Sequence, residues 1–149
     1  MAILMPIPNM TNLSVANEDY IRALVRLQEQ LGRSPRAVEL ASHMGVGKST
    51  VTERLQRLSR DGFIQYDRYG TICIKSKAKH KGIELTRAHR IIETFLHATL
   101  KRPASAVHDE AHKLEHAFTP ESIEALYELL GKPQKDPHGQ DIPRTPQTL

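Results

Sequence analysis

Apolar positions along the first half of the chain recur with two different periods. Ile21, Leu24, Val25, Gln28 and Leu31 follow the i, i+3, i+4, i+7 stripe of a helix, which the sequence predicts over Ser14–Leu31 with Gly32 as its stop. Ala37, Leu40, Ala41 and Met44 continue at helical spacing, and Ser34-Pro35 offers a cap followed by a proline suited to a first helical turn. A third helix from Lys48 or Ser49 to Asp61-Gly62 turns Val51, Leu55 and Leu58 inward and leaves Thr50, Thr52, Glu53, Gln56, Arg57 and Arg60 outward. The period then shortens: FIQY and TICI are short β-forming runs joined by the polar DRYG, a hairpin signature. Helix, helix, tight turn, helix, hairpin is the order of a winged helix-turn-helix, whose third helix is shaped for a DNA major groove.

The turn itself, GVGKST at 45–50, resembles the end of a phosphate-binding loop. That loop needs a glycine five positions before Gly47, where the chain has Ser42, and a buried strand before it, where the spacing is helical. The sequence therefore favours a turn between helices over a nucleotide cradle.

Beyond Lys75 the pattern changes. KSKAKHKG reads as a basic, weakly apolar joint, followed by a helix over Ile83–Leu100 with Ile91, Ile92, Phe95 and Leu96 on its apolar face. After Pro103 a helix is expected over Ala106–Phe118, and Thr119-Pro120-Glu121-Ser122 opens another that runs to Leu130. The proline- and glycine-rich remainder predicts no regular element. The fold class is mainly α with a small β-hairpin wing.

Charge sharpens the division. Residues 1–82 carry 13 Lys or Arg against 7 Asp or Glu, and residues 83–149 carry 8 against 10, giving balances of +6 and −2 within the net +4. The basic half fits double-stranded DNA. Six of the eight histidines lie in the other half. One cysteine, Cys73, excludes a disulfide framework within the chain. The opening MAILMPIPNM has no Lys or Arg and is broken by Pro6 and Pro8, so it reads as an irregular arm over 1–13 rather than a signal or membrane span, and the expected location is cytoplasmic.

The histidines carry the chemistry. In HDEAHKLEH, at 100° per residue, His108, His112, Glu115 and His116 share one helix face about 100° wide. His89 and Glu93, four apart, share another. Imidazole with carboxylate and no thiolate suits Mn²⁺, Fe²⁺, Zn²⁺, Co²⁺ or Ni²⁺. Two other readings use the same residues. His112-Lys113-Leu114-Glu115-His116 satisfies His-x-x-Glu-His, the inverted motif of zinc peptidases, and a metal carrier with a protein-binding winged helix would need the same ligands.

The succession of EDYI (18–21), VELASHMGVGKSTVTERLQRLSRDGFI (38–64), AHRIIETFL (88–96), HDEAHKLEHAFT (108–119) and DPHGQDIP (136–143) resembles the diphtheria toxin repressor and manganese transport regulator family, in its short form without an SH3-like domain. The resemblance implies a homodimeric, metal-activated repressor of metal-uptake genes that is not an enzyme. Residues 1–82 would form its winged helix and 83–149 its helical dimerisation and metal-binding domain. Mn²⁺ or Fe²⁺ is the metal it suggests first. By position, Asp19, His112, Glu115 and His116 match one metal site, and His89, Glu93 and His108 the other. Position 112 is often Cys or Glu in that family, so His112 makes the first site richer in nitrogen. Arg22 stands where manganese-type members carry a carboxylate, which favours separated metals over a close pair. Gly47, Lys48, Ser49, Thr50, Thr52 and Glu53 become candidates for base and nearby backbone contacts, Arg57 and Arg60 for phosphates, and Arg68 with Tyr69 for the wing.

Overall fold

In a computed structural model the chain is described for residues 13–67 and 69–146. The expected arm over 1–13, apart from Leu13, and Arg68 of the wing lie outside the described residues.

Helix α1 (Val15–Leu31) begins where the Ser14 hydroxyl accepts the Asn17 N–H at 3.2 Å, and ends at Gly32, whose φ of 65° lets its N–H turn back to Gln28. Helix α2 (Ala37–Met44) starts later than Ser34-Pro35 suggests. The Ile72 N–H donates to the Pro35 carbonyl at 3.3 Å and Arg36 bridges Thr71, so this stretch is drawn onto the wing instead of forming a helical turn. Glu39 then accepts the Arg36 N–H at 2.8 Å and closes the helix start.

Gly45 adopts φ 68°, and Gly47 caps helix α3 (Lys48–Arg60). The segment before GVGKST is helical, so these residues turn one helix into the next. Strands β1 (Ile64–Tyr66) and β2 (Ile72–Ile74) pair antiparallel, with Ile64 opposite Ile74 and Tyr66 opposite Ile72.

The expected joint is absent. Helix α4 (Ser76–Ala98) starts two residues after β2 and runs unbroken through KSKAKHKG, so position 82/83 falls inside a helix. The low apolar content of this stretch misleads because its inward residues are small: Ala78 is fully buried, and a Cβ on Gly82 would stand 2.6 Å from the Val25 Cγ2 of α1. Gly82 thus sets how closely α1 and α4 approach.

Helix α5 (Val107–Leu114) stops short of Phe118; Glu115 caps it and residues 115–117 form turns. Helix α6 (Pro120–Leu129) opens as expected, with the Thr119 hydroxyl accepting the Ser122 N–H. The tail is more ordered than its composition predicts. Lys135 bridges Asp141, the Asp136 N–H donates to the Gln140 carbonyl at 2.9 Å, and Ile142 packs on the second core.

Two apolar clusters hold these elements. One gathers Ile21, Leu24, Leu40, Val51, Leu55, Leu58, Phe63, Ile64 and Ile72 around the helix-turn-helix. The other gathers Ile91, Ile92, Leu96, Val107, Ala111 and Ile123 from α4, α5 and α6. Burying each large side chain contributes about 1.5–3 kcal/mol before entropy is counted. Helix α4 belongs to both, since Ala78 lies in the first cluster and Ala88 in the second. Among the described residues no helix is long and apolar enough to cross a membrane.

Candidate metal centre

Helix α1 carries Asp19 toward the end of α5, where the chain turns at 115–117 and presents three further donors. Asp19, His112, Glu115 and His116 each place one ligand atom within 4.8 Å of the others. His89, Glu93 and His108 converge in the same way between α4 and α5. The four residues that share one face of a continuous helix in sequence are therefore divided. His108, in the first turn of α5, reaches back to α4, whereas His112, Glu115 and His116 reach α1.

The donor atoms face one another without bonding well. His116 Nε2 lies 2.9 Å from Asp19 Oδ1, yet both atoms are buried and neither has an aligned hydrogen-bond partner. His89 Nδ1 lies 3.1 Å from Glu115 Oε2 and is also without one. Buried polar atoms are seldom left unpaired, and these three belong to a set of four among the described residues. Asp19 Oδ1 and His116 Nε2, facing each other in a donor set of imidazole and carboxylate, fit a divalent transition metal.

Neighbours orient the donors. His116 Nδ1 is 2.7 Å from Glu18 Oε2, which only accepts, so in the neutral ring the proton sits on Nδ1 and Nε2 keeps its lone pair toward Asp19. Lys81 lies 3.7 Å from the same carboxylate. Burial opposes a charge on His89, but the Glu115 and Glu93 carboxylates beside the ring outweigh it and raise its pKa. Glu93 shows the complement: burial pushes its pKa up, and contacts with His89, His108 and His138 bring it down to about 2.

Arg22 ties the two clusters. Its guanidinium donates to both Glu115 oxygens, at 2.5 and 2.7 Å, and the Glu115 side chain is fully buried. Glu115 Oε1 also lies 3.0 Å from His112 Nδ1, while Oε2 faces His89, so one carboxylate borders both ligand groups with a fixed cation upon it. The same contact removes support for the peptidase reading, because a carboxylate clamped by arginine is not free to act as a general base.

The candidates for DNA contact are mostly exposed. Gly47, Lys48, Ser49, Thr50, Glu53, Arg57 and Arg60 are exposed, Thr52 is half-buried, and Tyr69 projects from the wing at 92% exposure. Arg57 lies 3.9 Å from Glu53. Arg54 on the same helix turns away, donating to Asn17 Oδ1 at 2.9 Å.

Three residues escaped the sequence reading. Glu18 holds His116 from 98 positions away, and His138, 2.8 Å from Glu93 Oε2, arrives from the tail with Asp136 beside it. For Glu18 the available signal was its place next to Asp19; the tail has no periodicity that would mark His138.

A winged helix-turn-helix whose first helix shares a cluster of imidazoles and carboxylates with a separate helical layer has the two-part architecture of metal-responsive DNA-binding regulators. The comparisons agree: the N-terminal DNA-binding domain of iron-dependent repressors matches residues 12–72, and their metal-binding and dimerisation domain matches 75–144. The chain belongs to the iron-dependent repressor family. It is 28% identical over 134 residues to the iron-dependent repressor IdeR of Mycobacterium leprae and to the diphtheria toxin repressor of Corynebacterium glutamicum, covering 90% of this chain and 58% of each relative. The chain thus spans less than two thirds of the length of these relatives. Among solved structures, a manganese-dependent transcriptional repressor in complex with manganese superposes with a TM-score of 0.77 at 32% identity, over 86% of this chain and 58% of that one. ScaR with bound Zn²⁺ gives 0.74 at 30%, over 87% and 60%.

Proposed function

We propose that this protein is a metal-activated transcriptional repressor, a homodimer that binds operator DNA of metal-uptake genes in the cytoplasm and catalyses no reaction. The observation that carries the reading is the cluster of Asp19 with His112, Glu115 and His116, because it joins the first helix of the winged helix to donors about ninety residues later. Residues 1–82 serve as the DNA-reading part and 83–149 as the dimerising and metal-binding part. Asp19, His112, Glu115 and His116 form the first metal site, and His89, Glu93 and His108 the second.

A bound divalent cation, Mn²⁺ or Fe²⁺ before Zn²⁺, Co²⁺ or Ni²⁺, supplies the positive charge that lets carboxylates and imidazoles from both parts share one point. Asp19 then fixes α1, and with it the helix-turn-helix, at one orientation. Two recognition helices in a dimer must meet half-sites about 34–36 Å apart or a multiple of that spacing. A fixed orientation therefore strengthens DNA binding, and by linkage DNA tightens metal binding by the same factor. In the groove, Gly47, Lys48, Ser49, Thr50, Thr52 and Glu53 face bases and nearby backbone, Arg57 and Arg60 face phosphates, and Arg68 and Tyr69 are the candidate DNA contacts from the wing.

Fluorescence anisotropy of DNA from the gene's own upstream region, titrated with protein in chelator and then in each metal, tests this directly. Binding only with metal is expected, and His116→Ala is expected to abolish the metal response while leaving the fold intact. Equal binding in chelator, or an unchanged metal response in the variant, would refute the assignment. The metal-carrier reading predicts metal uptake with no DNA affinity under any metal.

A further inference from the structure

We propose that Glu18 and Lys81 set the affinity of the first metal site without binding the metal. Glu18 is a positioning residue that orients His116 and strengthens its Nε2 as a donor, and Lys81 restrains it by drawing on the other oxygen of the same carboxylate. The inference rests on the proposed reading of Asp19, His112, Glu115 and His116 as ligands, and extends it to the metal concentration at which they fill.

Glu18 is more than a helix-end acid. It stands in the first turn of α1, where the helix dipole favours a carboxylate. Such a glutamate ordinarily reaches into solvent, and this helix start is already capped by the Ser14 hydroxyl. The Glu18 side chain instead keeps only 13% of its exposure and turns to His116, itself 6% exposed. Glu18 Oε2 accepts from His116 Nδ1 at 2.7 Å, which leaves Nε2 to face Asp19 Oδ1 at 2.9 Å. A carboxylate on the far nitrogen fixes the rotation of a ligand imidazole and leaves more electron density on the nitrogen that meets the metal.

Lys81 holds the opposite end of that carboxylate. Its Nζ lies 3.7 Å from Glu18 Oε1 and 3.8 Å from Glu84 Oε2, so a second acid on α4 anchors the ammonium. The close contact of Gly82 with Val25 keeps α4 against α1, and with it Lys81 within reach of Glu18. A cation at Oε1 draws charge away from Oε2 and loosens its hold on the imidazole N–H.

Lys81, Glu18 and His116 therefore form a chain of contacts from α4 through α1 to the turn after α5, ending at the first site. Replacing two members of one packing contact weakens a site in the same direction. Replacing two groups that pull against each other moves its affinity in opposite directions.

The test titrates Co²⁺ into the full chain carrying His108→Ala, which disables the second site. It reads the dissociation constant against a competing chelator and the ligand-field absorption of the bound ion. Glu18→Gln keeps an acceptor for the His116 N–H without the charge; it is expected to weaken binding about tenfold and to shift the absorption bands, with one ion still bound. Glu18→Leu removes the acceptor too and is expected to cost about a hundredfold. Lys81→Met is expected to tighten binding about threefold, a small effect because this ammonium is partly exposed and screened. Added to Glu18→Gln, Lys81→Met is expected to change nothing further.

Weaker binding in both Glu18→Gln and Lys81→Met, with the bands in place, would reduce the pair to a packing contact and overturn the proposal. Equal tightening by Lys81→Met with and without Glu18→Gln would mean that the ammonium acts on the metal directly, which overturns the relay. Unchanged affinity and absorption in Glu18→Gln overturns it as well. Co²⁺ binding that survives His116→Ala unaltered overturns the reading of the first site, and this inference with it.

Discussion

Arg22 places a fixed cation on Glu115, and replacing it separates that ion pair from the proposed metal-ligand role of the carboxylate. In Arg22→Leu the fully buried carboxylate loses both guanidinium contacts, at 2.5 and 2.7 Å, and keeps only histidines nearby. Removing one partner of a buried ion pair costs about 3–5 kcal/mol. Arg22 retains 13% of its side-chain exposure, which places the metal-free cost near the lower end, about 3 kcal/mol. For a chain of this size that is a fall in Tm of roughly 6–12 °C.

With metal bound, a nearby cation again compensates Glu115, and the repulsion between it and Arg22 is gone. If half of the loss is recovered, about 1.5 kcal/mol, metal affinity rises about tenfold. Thermal unfolding in chelator and in Mn²⁺, together with calorimetric titration, measures both quantities. The expected pattern is a less stable metal-free protein that binds metal more tightly. Equal destabilisation with and without metal, or weaker metal binding, would show that Arg22 supports the site rather than competing for Glu115.

Other outcomes follow from single contacts. Gly82→Ala places a methyl 2.6 Å from Val25 Cγ2 and is expected to cost about 1–3 kcal/mol in chemical unfolding, with Val25→Ala restoring most of it; no loss would mean the helices are free to separate. Arg57→Ala is expected to weaken binding to all DNA sequences alike and to lower the salt slope by about one; an unchanged slope removes Arg57 from the phosphate contacts. The raised pKa of His89 means its contacts with Glu115 and Glu93 stabilise the metal-free fold below pH 6.5 and fade as pH climbs through the folded value. A metal must displace that proton, so affinity should increase with pH until His89 is neutral; a flat titration between pH 6 and pH 8 would exclude His89 as a ligand.

Most of the winged helix was legible because its period and its caps agree. Leu24, Val51, Leu55 and Leu58 are large, buried and regularly spaced, and Gly32, Gly45 and Gly47 fall at the breaks. Helix α4 was misread at its start because small residues, Ala78 and Gly82, do the packing there while lysines cover the outside. The end of α5 was misread for the opposite reason. Glu115 and His116 continue the helical pattern but lie in a turn, where they face Asp19 and Glu18. Periodicity reports which residues share a face of one element. It carries no information on partners 45 or 98 positions away, which is why His138 and Glu18 were invisible.

The continuity of α4 gives the molecule a lever. At 23 residues the helix is a rod roughly 35 Å long, anchored two residues from the wing at one end and carrying His89 and Glu93 toward the other. An angular slack of about 5° at His89 and Glu93, about 20–26 Å along the rod from its start, would sweep the wing through about 2 Å. Ligands need not push the recognition helix anywhere. On the proposed function they need only take up that slack, so that a contact of a few atoms at one end of the rod would govern DNA binding at the other.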